Sequence, residues 1–168
     1  GASAAAYVVA HNGSNNLITF RYRLKDLKVA AIEKEFKAGD LELPPGSLLI
    51  PADPKDKAVH DRVVAAVQEL GLIAAALASD PGLPAHDVDV PRLAIYSMWG
   101  STQEVGWLRH ALDKFQVPYD LIFKERVNRG DLLSSYDVVI MPNQGGSGKR
   151  LVYDIEPRAK PLAYNRTE

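Results

Sequence analysis

The residues best placed to do chemistry are few, and they sit after segments that look like strands. Ser97-Met98-Trp99-Gly100-Ser101-Thr102-Gln103 joins a tryptophan to hydroxyls and an amide side chain where a helix begins. Trp99, Ser101, Thr102 and Gln103 there could hold an anion or a sugar-like group against the exposed amides of a helix N-terminus. The plainer reading is that Trp99 covers a sheet edge and Ser101 only caps. Asn143-Gln144-Gly145-Gly146-Ser147-Gly148-Lys149-Arg150 also follows a strand-like run and has the look of a phosphate loop. It fails that test, because Asn143 stands where the motif needs glycine and Arg150 where it needs Ser or Thr for magnesium. A glycine-rich loop whose Asn143, Gln144 and Gly145 could still meet a ligand is expected.

Catalytic and metal-binding groups are not apparent. The histidines are His11, His60, His86 and His110. His110 with Asp113 forms an i, i+3 helix pair and His86 lies near Asp87 and Asp89, but neither shows a third ligand. A nucleophile elbow is missing, Gly146-Ser147-Gly148 lacking the required spacing and helix, and there is no cysteine for nucleophilic catalysis, thiolate zinc sites or disulfides. No catalytic residue, metal ligand or cofactor is therefore expected in this segment. Twenty basic and 21 acidic side chains give a net charge of −1, so no global field gathers nucleic acid or an anionic membrane. The longest apolar runs, such as Leu72 to Ala78, fall far short of the ~20 residues needed to cross a bilayer. A soluble piece, binding neither nucleic acid nor membrane, is expected.

The elements that must hold these loops follow from periodicity. Tyr7 to Ala10 reads as a strand, His11 to Ser14 as a turn with Ser14 a candidate N-cap, and Leu17, Ile18, Phe20 and Leu24 as a helix face. Val29 to Ile32, Glu35 to Lys37, Leu41 to Leu43 and Ser47 to Ile50 form a small β insertion with a hairpin turn at Ala38-Gly39-Asp40. Asp53 caps a helix with Pro54 at its first position and a stripe of Val59, Val63, Ala66, Val67 and Leu70 ending at Gly71. Leu72 to Ala78 reads as a strand covered on both faces. Asp80-Pro81-Gly82-Leu83-Pro84 marks a joint closed by Pro91, dividing residues 1–84 from residues 85–168.

Beyond the joint come a strand (Leu93 to Met98), a helix (Ser101 to Phe115, with a Ser101–Glu104 capping box), a strand (Tyr119 to Phe123), a short helix (Arg129 to Tyr136) and a strand (Val138 to Met141). Alternation of this kind predicts half of a doubly wound sheet. The whole is expected to be an α/β three-layer αβα sandwich with a mostly parallel sheet and a small β-hairpin insertion. The two halves could share one sheet. In such a sheet the loops at strand carboxyl ends form the crevice, namely His11 to Asn16, Met98 to Gln103, Phe123 to Gly130 and Pro142 to Arg150.

Several phrases occur in order along the chain: Ala6-Tyr7 through Asn16, Phe20-Arg21-Tyr22-Arg23-Leu24-Lys25-Asp26, Pro45-Gly46-Ser47, Pro91-Arg92-Leu93-Ala94 through Gly106-Trp107, Val117-Pro118-Tyr119, and Asn143-Gln144-Gly145. In these the chain resembles the C-terminal, non-catalytic portion of bacterial carboxypeptidase A-like zinc metallopeptidases. The resemblance implies a flavodoxin-like or class I glutamine amidotransferase-like fold, and an exported, secreted or periplasmic parent with an upstream zinc peptidase domain. Gly1 in place of methionine, and an ending at Asn165-Arg166-Thr167-Glu168 without a terminating element, suit a fragment of that kind. The family's H-x-x-E zinc motif is absent here, since Ser14, Val63, Asp89 and Asp113 follow the four histidines at that spacing. The expected partners are the peptidase domain of the same chain and a peptide or cell-wall fragment. The role expected is that of a non-catalytic accessory domain. A small-molecule or carbohydrate-binding module and a truncated amidotransferase-like enzyme are the alternatives.

Overall fold

A computed structural model of the chain describes residues 4–98 and 103–143 together with Gly148. Two compact units meet between Val90 and Pro91. The first contains β1 (Ala6–Val9), α1 (Asn16–Arg23), β2 (Ala30–Ile32), β3 (Phe36–Ala38), β4 (Leu41–Leu43), β5 (Leu48–Pro51), α2 (Lys57–Glu69), β6 (Ala74–Leu77) and β7 (Ala85–Asp87). Five of these strands form a sheet in the order β6-β1-β5-β2-β7. Every neighbouring pair in it is antiparallel.

This arrangement corrects the expectation of a mostly parallel sheet, and the reason lies in interleaving. Both β1 and β2 run antiparallel to β5, so they are parallel to each other, joined across β5 through α1. In the same way β5 and β6 are parallel, joined across β1 through α2. Each strand-helix-strand passage does connect parallel strands. The strand of the other passage sits between them, giving the split βαβ topology of ferredoxin-like folds, with β7 added at one edge. The β insertion is correspondingly smaller than Val29 to Ile50, because β2 and β5 belong to the main sheet and only the β3–β4 hairpin stands apart. Residues 85–87 belong to this first unit as well, since β7 pairs with β2. The run Leu72 to Ala78 yields only an edge strand, partly exposed along its length, and Ile73 is 52% exposed.

Alternation along β1 loads both faces of the sheet. Tyr7 and Val9 join Leu48 and Ile50 of β5 in an apolar cluster with Leu17, Phe20 and Leu24 of α1 and Val63 and Ala66 of α2. Ala6 and Val8 turn the other way, toward Leu49, Ile32 and the hairpin residues Leu43, Phe36 and Leu41. The hairpin is thus a second cover for a sheet that already carries helices. It closes through the two-residue turn Gly39-Asp40, with Gly39 at φ +61°, a conformation glycine adopts without steric cost.

Helix α2 begins later than its sequence suggests. Asp56, not Asp53, caps it by accepting the Val59 N–H at 3.1 Å, while Asp53 accepts the Lys55 N–H at 2.8 Å in a turn that leaves Pro54 outside the helix. A local Asx turn has displaced the cap by three residues. The rest of the stripe is as expected, with Val63 and Ala66 buried and Val59, Val67 and Leu70 packed on the same cluster.

The second unit contains β8 (Leu93–Tyr96), α3 (Gln103–Lys114), β9 (Tyr119–Ile122), α4 (Lys124–Asn128) and β10 (Val138–Ile140). Its sheet has the order β10-β8-β9, with both pairs parallel. Here the expected βαβαβ arrangement holds. The second helix does not lie over Arg129 to Tyr136 but earlier, at α4, because Gly130 (φ +72°) and Asp131 (φ +51°) break the helical path. Among the described residues the fold is therefore mixed α/β, with a five-stranded antiparallel sheet, the β3–β4 hairpin and a three-stranded parallel sheet. Among the described residues no helix is long and apolar enough to cross a membrane.

The starts of β8 and β10 are clamped by Arg92 and Asp137. The Arg92 backbone N–H donates to Asp137 at 2.7 Å, its guanidinium donates to both carboxylate oxygens at 3.1 and 2.9 Å, and a further N–H reaches the Ser134 carbonyl at 2.7 Å. Hydrogen bonds from the Arg92 side chain and backbone hold the Asp137 carboxyl at about 2, below its ordinary 3.8. A carboxyl depressed in the folded state contributes stability above its unfolded pKa and loses it as pH falls through the folded value. Asp137→Asn is therefore expected to cost stability at pH 6 and much less at pH 2. Urea midpoints of the two proteins should converge across that window. A constant gap at both pH values would show that the charge of Asp137 is not what the clamp uses.

Candidate functional site

In an open parallel sheet the ligand crevice lies at the carboxyl ends of two adjacent strands whose connections leave in opposite directions. The chain passes outward from β8 to β9, then returns beyond β8 to β10, so that point falls between β8 and β10. Val138 pairs with Leu93 and Ile140 with Ile95. Ser97-Met98 and Met141-Pro142-Asn143 therefore leave adjacent strands at the same end. Those segments lead into the two loops singled out in the sequence. Trp99, Ser101, Thr102, Gln144 and Gly145 lie outside the described residues, as does the Ser101 half of the capping box. Gln103 opens α3 and Asn143 follows β10, and both are exposed.

The base of the crevice is fixed and apolar. Met98 is buried in a cluster with Ala94, Tyr96 and Ile122. Ser97 is buried as well, its N–H donating to the Ile122 carbonyl at 2.9 Å and its hydroxyl to the Met98 carbonyl at 3.2 Å. The Ser97 N–H and hydroxyl are thus both committed to backbone partners.

The segment His11 to Asn16 does not share this geometry, because it follows a strand of the antiparallel sheet, where strand carboxyl ends alternate between the two sides. Its contacts are structural. Ser47, fully buried, accepts the His11 N–H at 3.1 Å and donates to the Pro44 carbonyl at 2.7 Å. The His11 ring lies over Gly46, which has φ +88° and whose missing Cβ would meet that ring at 3.6 Å.

The other histidines have local partners. His60 Nε2 lies 2.9 Å from the Asp53 carbonyl, which can only accept, so Nε2 carries the proton and Nδ1 accepts the Tyr7 hydroxyl at 2.8 Å. The imidazole thereby ties α2 to β1 and to the Asp53 turn. Burial, then the Asp61 charge, pushes the Tyr7 hydroxyl above its usual pKa, which keeps it a donor. His86 faces Glu33 at 3.3 Å on the exposed edge, and His110 meets Trp107 edge to face with ring centroids 6.4 Å apart. Among the described residues no three His, Asp or Glu side chains are grouped so as to hold a metal ion.

The segment after β9 holds a feature that the sequence did not resolve. Asp120, Leu121, Ile122, Phe123, Glu125, Arg126, Arg129 and Tyr136 line a cleft of about 390 Å³. Arg126 builds one wall, donating to the Gly130 carbonyl at 2.7 Å, to Ser135 Oγ at 3.1 Å and to the Asp131 carbonyl at 3.3 Å. Its guanidinium also lies 5.6 Å from the centre of the Tyr136 ring. Tyr136 in turn donates to Asp120 at 2.9 Å. Burial first, and then Asp120, raises the pKa of that hydroxyl and keeps it protonated. Reading residues 129–136 as a helix hid this cleft, although Gly130-Asp131 carried the signal of a break.

Comparison of the chain with protein-family models, with curated proteins and with solved structures finds no match.

Proposed function

We propose that the chain is a non-catalytic accessory domain of a larger secreted hydrolase of the zinc carboxypeptidase-like kind. It supports the peptidase domain of its own polypeptide and positions a peptide or cell-wall fragment in the crevice between β8 and β10. The phrases from Ala6 to Gly145 support the parentage. The observation that carries the positioning role is the β10-β8-β9 order, which starts the Trp99 and Gln144 segments from adjacent strand ends. Trp99, Gln103, Asn143 and Gln144 follow those strand ends in the sequence, and an aromatic ring with amide side chains is a residue set suited to peptides and sugars. In this role any zinc belongs to the parent's peptidase domain and not to this segment.

The test joins two measurements on the chain. Peptidase assays with added zinc should give no turnover, and titration with short peptides and muropeptides should shift the amide resonances of Met98, Gln103 and Asn143. Zinc-dependent hydrolysis would replace this reading with that of an enzyme. Silence at those amides with every probe at millimolar concentration would remove the positioning role.

A further inference from the structure

We infer that the cleft beside β9 is a second site, separate from the β8–β10 crevice, which binds a small organic monoanion: a carboxylate carried on an apolar group. The charged side chains in its wall differ in how far their hydrogen-bonding groups are already engaged. Asp120 accepts the Tyr136 hydroxyl, and Arg126 donates to Gly130, Asp131 and Ser135. Arg129 lines the same cleft and makes no ion pair or side-chain hydrogen bond among the described residues. Among the described residues Arg129 is thus the guanidinium in the wall whose donors are not engaged, and its planar fork matches a carboxylate.

The rest of the wall narrows the ligand further. The Asp120 and Glu125 carboxylates in the same wall oppose a dianion such as phosphate more strongly than a monoanion. Phe123 supplies an apolar surface for the body of the ligand, and the cleft volume of about 390 Å³ falls in the range of small-molecule sites. Because Arg126 and Tyr136 are held by their own hydrogen bonds, the wall is preorganised and little ordering accompanies binding.

The experiment is amide NMR on the whole chain, titrated with N-acetylphenylalanine, N-acetylphenylalaninamide, phenylacetate and inorganic phosphate. N-acetylphenylalanine is expected to shift Phe123, Gly130 and Tyr136, and the amide, lacking the charge, is not. Equal shifts from phenylacetate mean that any apolar carboxylate is accepted, while a response to N-acetylphenylalanine alone assigns the site to a peptide terminus; both outcomes uphold the site. Arg129→Gln should weaken binding by about tenfold or more, the scale of a charged hydrogen bond. Since Arg129 is exposed, the variant should keep the parent spectrum elsewhere. Equal binding of the amide, a phosphate response as strong as the acid's, or full affinity in Arg129→Gln would overturn the assignment. So would shifts confined to Met98, Gln103 and Asn143, which would place the acid in the other crevice.

Discussion

Replacing Phe20 with alanine is expected to lower the stability of the first unit by about 3–5 kcal/mol, the usual cost of deleting a buried aromatic ring. Phe20 is fully buried on the inner face of α1, in the cluster that also holds Tyr7 and Val9 of β1, Ile50 of β5 and Val63 of α2. The ring therefore sits where both helices meet the sheet, and neither helix can close the gap without leaving the strands. Domains of ordinary stability hold about 5–15 kcal/mol in reserve, so this single change removes a large share. Urea unfolding followed by far-UV circular dichroism would show the midpoint fall, and Phe20→Leu, which keeps much of the volume, should recover a good part of it. An unchanged midpoint for the alanine variant would mean that the helix-facing cluster does not hold this unit together.

The second large effect is expected from Ile95→Ala. Ile95 is fully buried on β8, the central strand of the three, with Ile140 and Leu121 as its partners in register on either side. Losing the side chain costs about 2–5 kcal/mol. The described cluster around β8, to which Ile95 does not belong, has only four buried residues, so this unit has little buried surface to spare. Hydrogen exchange should show protection lost across β8, β9 and β10 while the amides of β1 and β5 keep theirs. Protection retained in β8 would contradict the view that this one side chain anchors the parallel sheet.

Much of the element content was legible in the residues themselves. The stripe from Val59 to Leu70 gave α2, the short apolar run Tyr7 to Ala10 gave β1, and the turn at Ala38-Gly39-Asp40 gave the hairpin. Strand adjacency was not legible. A strand-helix-strand passage tells the reader that its two strands run the same way, and says nothing about a third strand lodged between them. Near-continuous apolar sequence misled at Leu72 to Ala78, where a partly exposed edge strand stands in place of one covered on both faces. The cap of α2 moved because two aspartates competed for one helix start and Asp53 was satisfied locally by Lys55. Of the candidate site, the two crevice segments follow from strand position alone, as does the inspection of Phe123 to Gly130. What periodicity could not supply was the network of Arg126, Tyr136 and Asp120, which depends on a break at Gly130 and on residues brought together from β9 and the return to β10.

The interleaved passages of the first unit also govern how it can be made. Ala6 finds its partners in Pro51 on one side and Leu77 on the other. A ribosome therefore releases the opening strand long before its final neighbour exists, and at about 5–20 residues per second that interval lasts several seconds. Until β5 emerges the apolar segment Tyr7 to Ala10 has no edge to join, and until β6 follows it is paired on one side only. Shortening the gene between Pro51 and Ala74 leaves the first strand paired with β5 alone, as a new sheet edge.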